Sequence, residues 1–125
     1  MLTKKETLLL DAVKQRGFNL TPIAEASIVC SFKFALGSVS GTLCCQRDAG
    51  AIHLVEIRNA DPHNGTFGCV MDAFEEIVRR FNICLYVMHI QDPKLSRHLV
   101  HKRKYAPVDK GSLYHLVYPA PDPDT

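Results

Sequence analysis

The sequence predicts a single α+β domain with a mixed, mostly antiparallel sheet built around one central parallel strand-helix-strand unit. Three observations predict it. Apolar residues alternate through three consecutive segments between residues 28 and 58. From Gly68 to Phe81 the apolar spacing becomes helical, and an apolar run, 83–90, follows directly. At 125 residues the chain can bury one hydrophobic core and is too short for two. With 46% hydrophobic and 22% charged residues it matches neither a disordered chain nor a fibrous repeat.

Thr3 followed by Glu6 is a capping-box signature, and Leu8, Leu9, Ala12 and Val13 give a first helix an apolar face that stops at Gly17. A loop is expected around Thr21 and Pro22. Ile28, Cys30, Phe32, Phe34 and Leu36 then mark one packed face of a strand that turns at Gly37 and Ser38. Extended runs over 39–47 and 51–58, joined at Asp48-Ala49-Gly50, complete a three-stranded antiparallel meander. In the central helix Val70, Met71, Phe74, Ile77, Val78 and Phe81 face inward, with Asp72, Glu75, Glu76, Arg79 and Arg80 outside. The run 83–90 is apolar on both faces, as for an interior strand covered on each side. Asp92-Pro93 opens a helix reaching about Lys104, and 113–118 is a closing strand. The proline-rich end, 119–125, reads as a flexible tail.

The net charge of +2 is too small to imply nucleic acid by itself. Five scattered cysteines without a C-x-x-C pair suit reduced thiols in the cytoplasm and argue against a disulfide framework or a zinc site. No apolar stretch reaches membrane-spanning length, and the leucine run near the N-terminus is too short for a signal-peptide core. A soluble protein with no membrane partner is expected, as monomer or homodimer.

Within residues 51–105 the order of strand, glycine-containing turn, long helix, buried strand and short helix resembles the core of the GNAT N-acetyltransferase superfamily. The abbreviated form is similar to small GNAT-like proteins found among phage and plasmid genes. The resemblance implies a three-layer fold over residues 1–118 and acetyl-CoA as acyl donor to an amine-bearing acceptor. It also implies a pyrophosphate-binding turn written R/Q-x-x-G-x-G/A, here His63-Asn64-Gly65-Thr66-Phe67-Gly68 before Cys69, with Ile57 and Arg58 on the preceding strand beside the cofactor. Glycines let backbone approach phosphate, and a helix N-terminus offers N–H groups and a positive dipole end. The chain departs from the pattern in carrying His63 where arginine is usual and Thr66 where glycine is usual.

Acyl transfer of this type needs a base for the amine, a donor to the thioester carbonyl and an acid for the leaving thiolate. Glu56 falls where some family members place their base; its alternative is a solvated carboxylate paired with Arg58 or a lysine. His53, opposite it by strand alternation, and His89 are further proton-transfer candidates. The family's acidic tyrosine has Val100 in its place, so either His101 or another group substitutes as the acid, or the thiolate leaves unassisted, or transfer is no longer catalysed. Tyr105 is expected in the core with its hydroxyl exposed. Arg97, His98, His101, Lys102, Arg103 and Lys104 form a basic helix end suited to cofactor phosphates or an acidic partner. Nucleic acid remains a weaker reading, because no aromatic residues are interleaved with these cations. An enzyme predicts a splayed gap between the strands ending near Arg58 and beginning at Ile83. A fold-retaining binding or virion-associated protein predicts that gap filled by side chains such as Phe67.

Overall fold

The expected capping box starts α1 (Lys4–Gln15): the Thr3 hydroxyl accepts from the Glu6 N–H, and the Glu6 carboxylate accepts from the Thr3 N–H, both at 3.2 Å. The structure is a computed structural model and describes residues 3–25, 29–46, 50–61 and 65–119. After α1 the chain runs through β1 (Asn19–Glu25), β2 (Val29–Leu36), β3 (Val39–Gln46) and β4 (Ala51–Asn59), each antiparallel to the one before. The meander therefore has four strands, and the loop expected at Thr21 and Pro22 is part of the first. Proline cannot donate to a sheet ladder, but β1 is an edge strand, and its register shifts between Pro22 and Ala24.

Helix α2 (Thr66–Phe81) begins two residues before the expected start and carries the chain back so that β5 (Cys84–Met88) pairs parallel with β4. Asp92 caps α3 (Pro93–Arg103) by accepting from the Lys94 N–H at 3.0 Å. Two short strands, β6 (Ala106–Pro107) and β7 (Leu116–Tyr118), finish a sheet of order β1-β2-β3-β4-β5-β7-β6. The expected closing strand thus shortens to β7, and β6 is too short to show a period. The expected tail lies outside the described residues, apart from Pro119.

All three helices gather on one face of the sheet. Cys30, Phe34, Leu43, Cys45, Ile52, Leu54, Leu85 and Val87 point there and are buried. The rings of Phe18, Phe34 and Phe74 meet with centroids 4.8–6.1 Å apart and join the α1 end, β2 and α2. An Arg16–Glu76 ion pair ties α1 to α2, and Arg103 ties α3 to α2. On the opposite face, Ser31, Cys44, His53 and Tyr86 form one cross-strand row of half-buried residues. The expected three layers are therefore two. The expectation that β5 is covered on both sides holds for Leu85 and Val87 and fails for Cys84, Tyr86 and Met88, which are half-buried. Their polar or polarisable atoms tolerate partial exposure, so an apolar run overstated the burial. Among the described residues no helix is long and apolar enough to cross a membrane.

Candidate active site

Two left-handed residues open the sheet at its centre. Ser40 pairs with Arg58 and Thr42 with Val55, so Gly41 alone faces two residues of β4, Glu56 and Ile57. Glu56 absorbs the extra length with φ 54°, an uncommon conformation for a residue with a Cβ. The bulge needs glycine opposite it, because a Cβ on Gly41 would lie 2.9 Å from a Phe34 ring carbon and 3.2 Å from the Ile57 Cα. On β5 the last paired residue, Met88, is followed by His89 at φ 57°. Strands β4 and β5 thus separate immediately after the Val55–Met88 pair, and among the described residues the β5-facing edge of β4 beyond Val55 has no strand partner.

The cleft that results has a volume of about 1070 Å³. Residues 56–59 of β4 form one wall, Gly65, Phe67 and Gly68 at the start of α2 form the end, and Lys94, Leu95, His98 and Arg103 of α3 form the other wall. Gly65 is the N-cap of α2 at φ 77°, with no side-chain cap and nothing within 4 Å of where a Cβ would project. The first turn of a helix has no internal acceptors for its N–H groups, so Phe67 and Gly68 present main-chain donors at this end.

Behind the cleft wall lies a buried polar network. Arg103 Nη1 donates to Asp72 at 2.8 Å and to both Glu75 oxygens at 3.1 Å, while Nη2 donates to the Gly68 carbonyl at 3.0 Å. The Tyr105 hydroxyl donates to Glu75 at 2.9 Å. Burial, reinforced by the Glu75 charge and hydrogen bond, pushes the Tyr105 hydroxyl far above the usual phenol range. Burial pulls Arg103 down, but its bonds to Asp72 and Glu75 outweigh this and raise it overall. His98, packed edge-on against Phe67, is shifted below the ordinary histidine value by burial and then by Arg103 and Lys102.

His89 is held from three directions at the mouth of the cleft. Its Nδ1 lies 3.0 Å from the Tyr114 hydroxyl, which also accepts from the Gln91 amide at 3.2 Å. Its main-chain N–H donates to His115 Nδ1 at 3.2 Å, and its ring packs edge-on against both Tyr114 and His115.

Of the residues singled out from sequence, Glu56, Ile57, Arg58, Gly65, Phe67 and Gly68 come together around the cleft. Thr66 and Cys69 do not line it, and His63 and Asn64 lie outside the described residues. His53 sits on the helix-free face, stacked on Tyr86 at 4.8 Å, and burial lowers its pKa. His101 is exposed and outside the cleft wall. Glu56 makes no ion pair with Arg58 or a lysine among the described residues. Phe67 lines the gap without filling it.

Three expectations are corrected by the network. Glu75 is 7% exposed rather than on an outer face, because α3 covers it and Arg103 and Tyr105 neutralise it. The Tyr105 hydroxyl is buried for the same reason, and Arg103 is held by Asp72, Glu75 and the Gly68 carbonyl rather than standing free with the rest of the basic helix end. The placing of Arg103 at the end of α3 and Tyr105 just past it carried no signal that they would fold back on α2. Compared with protein-family models the chain matches none, and no curated protein shows significant similarity to it.

Proposed function

We propose that the chain is an acyl-CoA-dependent N-acyltransferase that works in the cleft between β4 and β5. The observation that carries this reading is the parting of two parallel central strands at Glu56 and His89, which leaves an unpaired strand edge and places two proton-handling side chains at the opening. Acetyl-CoA would supply an acyl group activated as a thioester.

The residues present fit such a donor. The cleft volume stands at the top of the range of about 300–1,000 Å³ typical of small-molecule sites. The unpaired edge of β4 offers main-chain N–H and C=O groups that suit an extended amide chain, much as a missing strand would. The side-chain-free N-terminus of α2 at Gly65 to Gly68 suits a phosphate, and Lys94 on the α3 wall supplies a cation.

From its exposed position on the bulge Glu56 takes a proton from the acceptor ammonium, directly or through water, and the neutral amine then attacks the thioester carbonyl. His89 serves the departing sulfur. In the tautomer this role needs, the Tyr114 hydroxyl donates to His89 Nδ1 while its oxygen accepts from the Gln91 amide, and the other ring nitrogen is protonated and able to donate. In this reading His89 takes the place proposed above for His101.

Thiol release from acetyl-CoA across a panel of primary amines tests the proposal. Glu56→Gln is expected to lower kcat about 10²-fold to 10⁴-fold, the usual worth of a general base, with KM for acetyl-CoA unchanged. Full activity in that variant would remove Glu56 from the mechanism.

A further inference from the structure

A second recess, of about 420 Å³, lies on the helix-free face of the sheet over β1 to β4. Its floor is the bulge, with Gly41 and Phe34 beneath. Thr21, Lys33 and Thr42 occupy one cross-strand row, and Ser40 and Arg58 lie in the next. Glu56 and Arg58 line both this groove and the large cleft, so the two recesses meet at the bulge.

Among the described residues the charges around the groove lack partners. Lys33, Glu56 and Arg58 make no side-chain hydrogen bond or ion pair with another described residue. Two cations and one carboxylate therefore surround a pocket whose remaining polar wall is made of hydroxyls and an amide. A polyamine or lysine-rich peptide would bring like charge against Lys33 and Arg58. An apolar amine would leave those two cations uncompensated.

We infer that the acceptor is a small primary amine that also carries an anionic group, carboxylate or phosphate, with its ammonium on Glu56 and its anion between Lys33 and Arg58. Its role as acceptor rests on the acyl-transfer reading; its binding in this groove does not. Lys33 on β2 and Glu56 on β4 are two strand spacings apart, roughly 10 Å between backbones, and both line the groove. That leaves room for a chain of a few carbons between the two charged ends.

The test uses backbone amide chemical shifts of the isotope-labelled full chain, titrated separately with γ-aminobutyrate, 3-aminopropyl phosphate and n-butylamine. Saturable shifts at Gly41, Thr42, Glu56 and Arg58 are expected with one or both anion-bearing amines and not with butylamine. The tighter of the two identifies the anion as carboxylate or phosphate. Lys33→Met and Arg58→Met are each expected to weaken that binding about tenfold, the loss of one charge-assisted contact. Equal responses to all three amines, or none, would overturn the inference. A parallel titration with acetyl-CoA keeps the two readings apart. Amine binding in the groove without any response at Gly65 to Cys69 would retain the groove and reject acyl transfer, whereas acetyl-CoA binding with indiscriminate amines would do the reverse.

Discussion

Replacing Glu75 by alanine is expected to destabilise the fold by about 3 kcal/mol, the low end of the 3–5 kcal/mol seen when one member of a buried ion pair is removed. The magnitude follows from what the carboxylate satisfies. The Glu75 and Arg103 side chains are 9% and 15% exposed, and the carboxylate accepts from Arg103 through both oxygens and from the Tyr105 hydroxyl. Without it, Arg103 keeps the Gly68 carbonyl and Asp72, whose side chain is 71% exposed, and the buried Tyr105 hydroxyl loses its acceptor. The surviving Asp72 bond is what places the estimate at the low end. For a domain of this size the loss corresponds to a fall in Tm of roughly 10 °C. Urea unfolding at pH 7 measures it, with the Glu75→Leu/Arg103→Met double variant as companion. The double variant is expected to recover most of the loss, because apolar packing replaces two charges that need each other. A cost below about 1 kcal/mol for Glu75→Ala would show a solvated pair and refute the reasoning.

Gly41→Ala forces a Cβ against the Phe34 ring and the Ile57 backbone, so a loss of about 1–3 kcal/mol in urea unfolding is expected, and an unchanged midpoint would contradict the bulge geometry. His53 has a pKa held below its ordinary 6.5 by burial. The unfolded chain therefore binds the proton more readily, and stability falls as pH drops below about 6.5 toward the lowered folded value. His53→Phe should flatten that part of the stability profile, and an unaltered slope would assign it to other groups.

Much of the scaffold can be read from the residues, and the reason is periodicity. The Thr3–Glu6 box, the helical stripe from Val70 to Phe81, and the Asp92-Pro93 start each encode a local preference that packing then honours. Strand β1 escapes because Thr21-Pro22 reads as a turn unless the strand is known to lie at an edge. The layer count escapes because Cys84, Tyr86 and Met88 look as apolar as Leu85 and Val87. For the site, the glycine-containing turn and Glu56 were visible. The bulge was not, since strict alternation runs straight through Glu56, and the register shift depends on Gly41 in the neighbouring strand. The Glu75–Arg103–Tyr105 network joins residues about thirty positions apart, beyond the reach of any local pattern.

Isothermal titration of the protein with acetyl-CoA and CoA shows whether the cleft takes acyl-CoA. Alongside it belongs Gly68→Glu, which sets a carboxylate at the N-terminus of α2 beside Arg103. Binding in the micromolar range is expected for the parent and is lost in the variant, whose urea midpoint stays that of the parent. No heat and no thermal shift with the parent protein, or equal binding in the variant, would contradict acyl-CoA binding and leave a cleft that takes some other ligand.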